Sequence, residues 1–166
     1  MFRFKRHTII LYNTLIDLSR NVFFYKKLKL ADTFETRIYL MFFHFSIMMI
    51  ISKKKGKKFD QNSYDNLFHN IENNLRELGY GDVAVNKKMK ELNKILYDIL
   101  LKIEAINHND NDFKINDKLI MKYFNDLKDQ KSMKFREFEL YFINFFNFCF
   151  ELSLENMVRE AVKFNN

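Results

Sequence analysis

A chain of 166 residues with a single cysteine is long enough to bury one sizeable core, so it needs neither a disulfide nor a metal to fold. Cys149 has no partner for an internal disulfide and lies among phenylalanines, where a thiol acts as a small, inert apolar group in a reducing compartment. The formal net charge of +7 suits an acidic partner, but abundant Lys, Asn, Ile and Phe beside an absence of Pro and Trp bear the mark of AT-rich coding, so local clusters of charge carry more meaning than the total.

Apolar residues recur at helical spacing almost throughout and nowhere alternate convincingly as a strand, which predicts an all-α, single-domain bundle of about six helices over residues 1–166 with an apolar central helix. Arg3, Lys5 and Arg6 precede an apolar stretch that Asn13 and Asp17 interrupt, and no small-residue cleavage site follows, so no secretory signal is expected. Leu11, Leu15, Leu18, Val22 and Tyr25 form one face of a first helix. After a loop near Lys27 to Ala31, Asp32-x-x-Glu35 makes a capping-box-like start for a second helix running to about Ser52.

That second helix is apolar all round, the mark of a central element. Residues 38–51 fall short of the roughly 20 that a membrane span requires, and His44 and Ser46 interrupt them. Arg37 and His44, seven residues apart, share a face. Arg37 needs a counter-charge if buried, and Glu77 or Asp82 is the expected source. Lys53, Lys54, Lys55, Lys57 and Lys58 surround Gly56 and form the densest basic cluster; Lys87, Lys88 and Lys90 form a second.

A third helix from about Asp60 to Leu78 buries Tyr64, Leu67, Phe68, Ile71, Leu75 and Leu78 and turns Asp65, His69, Glu72 and Arg76 outward. Gly79 follows as a helix stop. The junction Leu75–Asp82 also holds Gly81 and crowds Arg76, Glu77 and Asp82 into one corner, more charge than a helix stop requires. Met89, Leu92, Leu96, Ile99, Ile103 and Ile106 line a fourth helix from about Asn86, a polar loop covers 108–112, and a short helix spans about Asn116 to Leu127.

Ser132 is the expected N-cap of a long, Phe-rich last helix over about 133–163. Its apolar face, from Phe135 to Phe150, is wide enough either to be buried on several sides, the preferred reading, or to offer a surface to a partner. A membrane span there would carry Glu139, Asn144, Asn147, Glu151 and Glu155 into hydrocarbon, which costs a few kcal/mol per charge near the centre.

Signals of catalysis are missing. His7, His44, His69 and His108 fit no metal-ligand spacing, Asp65 and His69 lack a third ligand, and no P-loop, GxGxxG or GxSxG occurs. A non-enzymatic protein without metal or cofactor is expected. The lysine clusters could neutralise phosphates without reading bases, which offers a ribosome- or RNA-binding module as the alternative reading, or they could rest on an anionic bilayer; no DNA partner is expected.

Leu11-Tyr12, Ser19-Arg20, Phe24-Tyr25, then Asp32, Arg37 and His44 as D-x4-R-x6-H, then Leu75–Asp82 as LRExGxGD, then Asn86-Lys87-Lys88-Met89-Lys90 and Tyr97 stand in a fixed order. In that order they resemble the ubiquinol-cytochrome c chaperone family of alpha-proteobacteria and mitochondria, helical proteins that assist assembly of the cytochrome bc1 complex by handling new cytochrome b. The likeness covers about residues 11–104 and runs more weakly through Leu119 to Asp126, giving a family-like core of about 11–127. It implies a chaperone for nascent or unassembled cytochrome b, cytoplasmic or peripheral at the cytoplasmic face of the inner membrane. A small helical co-chaperone and a ribosome contact are further partners the resemblance brings. Arg20, Tyr25, Asp32, Arg37, His44, Arg76, Glu77, Gly79, Gly81 and Asp82 are then the defining polar constellation, with bracing the fold and meeting the client both open as its role. Within it His44 is the one histidine to consider for the haem contact such a client would bring, with a hydrogen-bonded core role preferred.

Overall fold

Burial, not length, marks the central helix. In a computed structural model, which describes residues 2–108 and 112–164 and only the backbone of residues 2–9, the helix α2 (Phe34–Lys54) has every residue from Leu40 to Met48 buried. At 21 residues it is long and apolar enough to cross a membrane by length and composition alone. Yet 67% of its most apolar window is enclosed by the protein, so burial rather than the short apolar run 38–51 marks it as a core helix.

Six further α-helices surround it among the described residues: α1 (Phe2–Ser19), α3 (Gln61–Glu77), α4 (Asp82–Ile106), α5 (Asp117–Tyr123), α6 (Met133–Phe150) and α7 (Leu154–Glu160). α2 packs against α1, α4 and α6, and α3 lies on α1 and α4. Leu11, Leu15 and Leu18 bury the face expected of α1. That helix stops at Ser19, however, and Val22 is exposed. The Asn21 side chain accepts from the Phe23 N–H (3.0 Å), opening a π-turn over Phe23–Lys27; local side-chain bonding of this kind competes with helix continuation.

Caps explain the other starts. Thr33, not Asp32, caps α2, accepting from the Thr36 N–H at 3.2 Å. Asp60, Asn116 and Ser132 cap α3, α5 and α6 through their side chains. α4 begins at Asp82, four residues before the expected Asn86, which places an acid in its first turn, where the positive end of the helix dipole stabilises it. Tyr64 is half-buried rather than buried in the α3 face, and Leu78 is exposed. Residues 109–111 of the expected polar loop, and the side chains of Arg3, Lys5, Arg6 and His7, lie outside the described residues.

The last helix is not continuous to residue 163. It ends at Phe150, and Glu151–Ser153 turn the chain into α7 and a 3-10 turn over Ala161–Lys163. The wide apolar face is core: Phe135, Phe138, Tyr141, Phe142, Phe145, Phe146 and Cys149 are buried. Rings from α6 meet α2 and the π-turn, with Phe24 and Tyr141 centred 4.6 Å apart and Phe43 and Phe142 5.5 Å apart. Each such side chain stabilises the fold by about 1.5–3 kcal/mol through burial. Burial pushes the Cys149 thiol up to about 12, which keeps it protonated and unreactive.

Candidate functional site

Asp32, freed from capping, turns to Arg37. The guanidinium donates from Nε to Oδ1 at 2.8 Å and from its other arm to Oδ2 at 3.1 Å, a two-pronged pairing at the surface, with Arg37 itself 42% exposed. Arg37 therefore takes its counter-charge from five residues upstream, and neither Glu77 nor Asp82 supplies it. An exposed pair like this contributes at most about 1 kcal/mol, so its geometry matters more for shaping the surface than for holding the fold.

The pair forms one rim of an open groove of about 530 Å³. The end of α1 brings Tyr12, Ile16, Ser19 and Arg20; the start of α2 brings Phe34, Ile38 and Met41 beside Asp32 and Arg37; the end of α3 brings Asn74, Glu77 and Leu78. Ile16, Phe34, Ile38 and Met41 supply an apolar lining between charged walls. Tyr25 stands beside Arg37 without lining the groove, its hydroxyl donating to Ser19 O at 2.6 Å. Burial raises the Tyr25 phenol and the Arg37 charge pulls it back. The Tyr12 phenol is likewise raised by burial, then by Glu77, and lowered by Arg20, so both charges act on that ring.

Arg20 and Glu77 differ from the other charges here. Among the described residues neither side chain forms an ion pair or a hydrogen bond, whereas Arg76 is fully engaged by Asp82 and by Glu72 (3.0 Å). Arg76 and Asp82 thus brace the α3–α4 junction outside the groove. Gly79 completes the brace. At φ +97° it ends α3 with paired bonds, Gly79 N–H to Arg76 O (3.0 Å) and Tyr80 N–H to Leu75 O (3.2 Å), an arrangement that favours glycine. Gly81 is the N-cap of α4 at φ −74° and needs no such freedom.

His44 does not join this group. It is wholly buried, and its Nδ1 lies 2.6 Å from Leu40 O, so that nitrogen carries the proton and donates. Nε2, 2.9 Å from the Tyr141 hydroxyl, is left to accept. Burial pushes its pKa down to about 3, and with both nitrogens engaged it is a neutral core histidine with no lone pair facing outward for haem.

The lysine cluster is exposed but partly engaged. The C-terminal ends of α2, α4 and α6 meet, and their last carbonyls carry the negative end of each helix dipole. Lys53 pairs with Glu104, Lys54 Nζ donates to Asn107 O (2.9 Å), and Lys55 Nζ donates to Phe150 O (2.6 Å) and Leu152 O (2.7 Å) while lying over the Phe150 ring. Two of the five lysines, Lys54 and Lys55, are therefore helix-end caps and Lys53 is ion-paired, while all five remain exposed at the surface. Their position at the last turn of an apolar helix was the signal for this role. In the second cluster Lys88 reaches Glu35 and Glu91, and Lys87 and Lys90 stay exposed.

A family model described as ubiquinol-cytochrome C chaperone matches residues 26–134. The chain belongs to this family. The match takes in α2 to α5, so two of the three groove walls and the Leu75–Asp82 junction lie inside it, while the α1 wall with Tyr12 and Arg20 lies before it. No curated protein and no solved structure matches the chain.

Proposed function

We propose that this member of the ubiquinol-cytochrome C chaperone family is a non-enzymatic assembly factor that receives newly made cytochrome b, and that the groove between α1, α2 and α3 is where it meets the client. Family membership supports a role in assembly of the ubiquinol-cytochrome c reductase complex. The observation that carries the site is convergence: Arg20, Asp32, Arg37 and Glu77, drawn from three separate stretches of sequence, meet around an apolar lining, and two of them are left unpaired. An apolar transmembrane segment not yet covered by haem or partner subunits, bearing an occasional charge, is the complementary shape and chemistry. The place of action in this reading is the cytoplasmic face of the inner membrane.

Deleting the gene and recording the haem b spectrum of the membranes tests the pathway. Loss of the cytochrome b signal, restored by the native chain and not by one carrying Arg20→Ala and Glu77→Ala, is the expected result. Unchanged cytochrome b in the deletion strain would sink the proposal.

A further inference from the structure

Along α4 a second pattern runs opposite to the core. Val83, Lys87, Lys90, Lys94, Tyr97 and Leu101 recur at alternating steps of four and three, and all are exposed, Val83 by 86%, Tyr97 by 51% and Leu101 by 59%. The other side of the same helix buries Val85, Leu92, Leu96, Ile99 and Ile103. The stripe extends about 27 Å at the helical rise of 1.5 Å per residue.

Nearby anions are committed elsewhere. Glu91 lies toward Lys88 (3.9 Å), and Asp98 accepts from Lys102 (2.7 Å), Lys122 (2.8 Å) and Tyr123. Asp82 is held by Arg76. Lys87, Lys90 and Lys94 make no ion pair or hydrogen bond among the described residues, so three cations stand in line between apolar ends.

We propose that this stripe docks an amphipathic helix of a partner protein, with acidic side chains over Lys87, Lys90 and Lys94 and apolar side chains over Val83, Tyr97 and Leu101. Steps of four and three sustained over the whole stripe are the spacing that lets two helices interlock. RNA would use the lysines and leave the apolar ends idle. An anionic bilayer favours basic and apolar residues on separate strips along the helix, not in one line. A second copy of the chain, set antiparallel about a two-fold axis at the centre of the stripe, would oppose Lys90 to Lys94 and repel. This surface is independent of the groove reading, since it shares no residue with it.

The test uses the full chain and a fluorescein-labelled designed helix with Glu at three central positions of the matching spacing and Leu at the flanking ones. A scrambled peptide of the same composition, poly(U) RNA and phosphatidylglycerol vesicles complete the probes. Fluorescence anisotropy should show binding of the designed helix that weakens about tenfold or more with K87E/K90E/K94E, and again with Leu101→Glu. A peptide with Lys in place of its Glu residues should recover binding to the charge-reversed variant, which also proves that variant folded. Equal binding of the scrambled peptide, indifference to both substitutions, or capture of RNA or vesicles without the peptide would overturn the proposal.

Discussion

The two ends of α2 treat charge in opposite ways. At its C-terminal end Lys53, Lys54 and Lys55 are drawn onto Glu104 and onto the terminal carbonyls of α4 and α6, so most of the basic cluster, though exposed, ties three helix ends together. At its N-terminal end Asp32 and Arg37 satisfy each other, and Arg20 and Glu77 are left over around a groove. The densest run of charge in the sequence is therefore the structural one. Function is better sought where charges remain unsatisfied beside an apolar lining.

Four perturbations should separate bracing from binding. The largest concerns neither end but the core between them. His44, neutral in the folded chain with its pKa pushed down to about 3, takes up a proton near 6.5 on unfolding. The unfolded state binds more protons in that window, so the His44 contribution to stability falls as pH drops below 6.5 and levels off near 3, by up to about 1.4 kcal/mol per pH unit. Urea unfolding across pH should show this slope, and the difference between the native chain and His44→Leu isolates it from the carboxylates.

At the bracing end, Lys55→Met removes two hydrogen bonds to helix-end carbonyls and should cost about 1–2 kcal/mol in urea unfolding. At the α3–α4 junction, Gly79→Ala forces a side chain into positive φ with nothing nearby to clash. The loss should be about 1 kcal/mol of backbone strain in the same unfolding experiment, while Gly81→Ser, at an N-cap, should cost nothing. Smallest is Asp32→Ala at the groove rim. It should shift stability by no more than about 0.5 kcal/mol, and a larger loss would show that the rim braces the fold after all.

Much of this architecture was legible in the sequence because helices announce themselves locally. Ser132 ahead of a Phe-rich run and the burial of Leu67, Phe68, Ile71 and Leu75 followed from capping chemistry and periodicity. The failures have local causes too. Apolar spacing carried the first helix on to Val22 and Tyr25, since periodicity cannot see the Asn21 side chain capturing a backbone N–H. Asp32 and Thr33 are both good caps; Thr33 takes the Thr36 N–H while Asp32 takes the guanidinium of Arg37, five residues on. The turn at Glu151–Ser153 lacks the Gly or Pro that would have flagged it.

The site was half legible. The ordered motif identified the family, but Arg37 and His44, on one face by spacing, part company because the helix runs from the groove rim into the core between them. Internal pairing of Arg37 with Glu77 assumed a buried guanidinium. Once Arg37 is half in solvent, Asp32 suffices and Glu77 is released.

Co-purification of cytochrome b with tagged variants of the full chain, normalised to folded protein by unfolding curves, tests the distinction between the two ends most directly. Arg20→Ala with Glu77→Ala should leave the unfolding midpoint within error and lose most of the co-purified cytochrome b, whereas Lys55→Met should lower the midpoint and retain the client. Full retention by the groove variant, with loss confined to the lysine variant, would contradict the account.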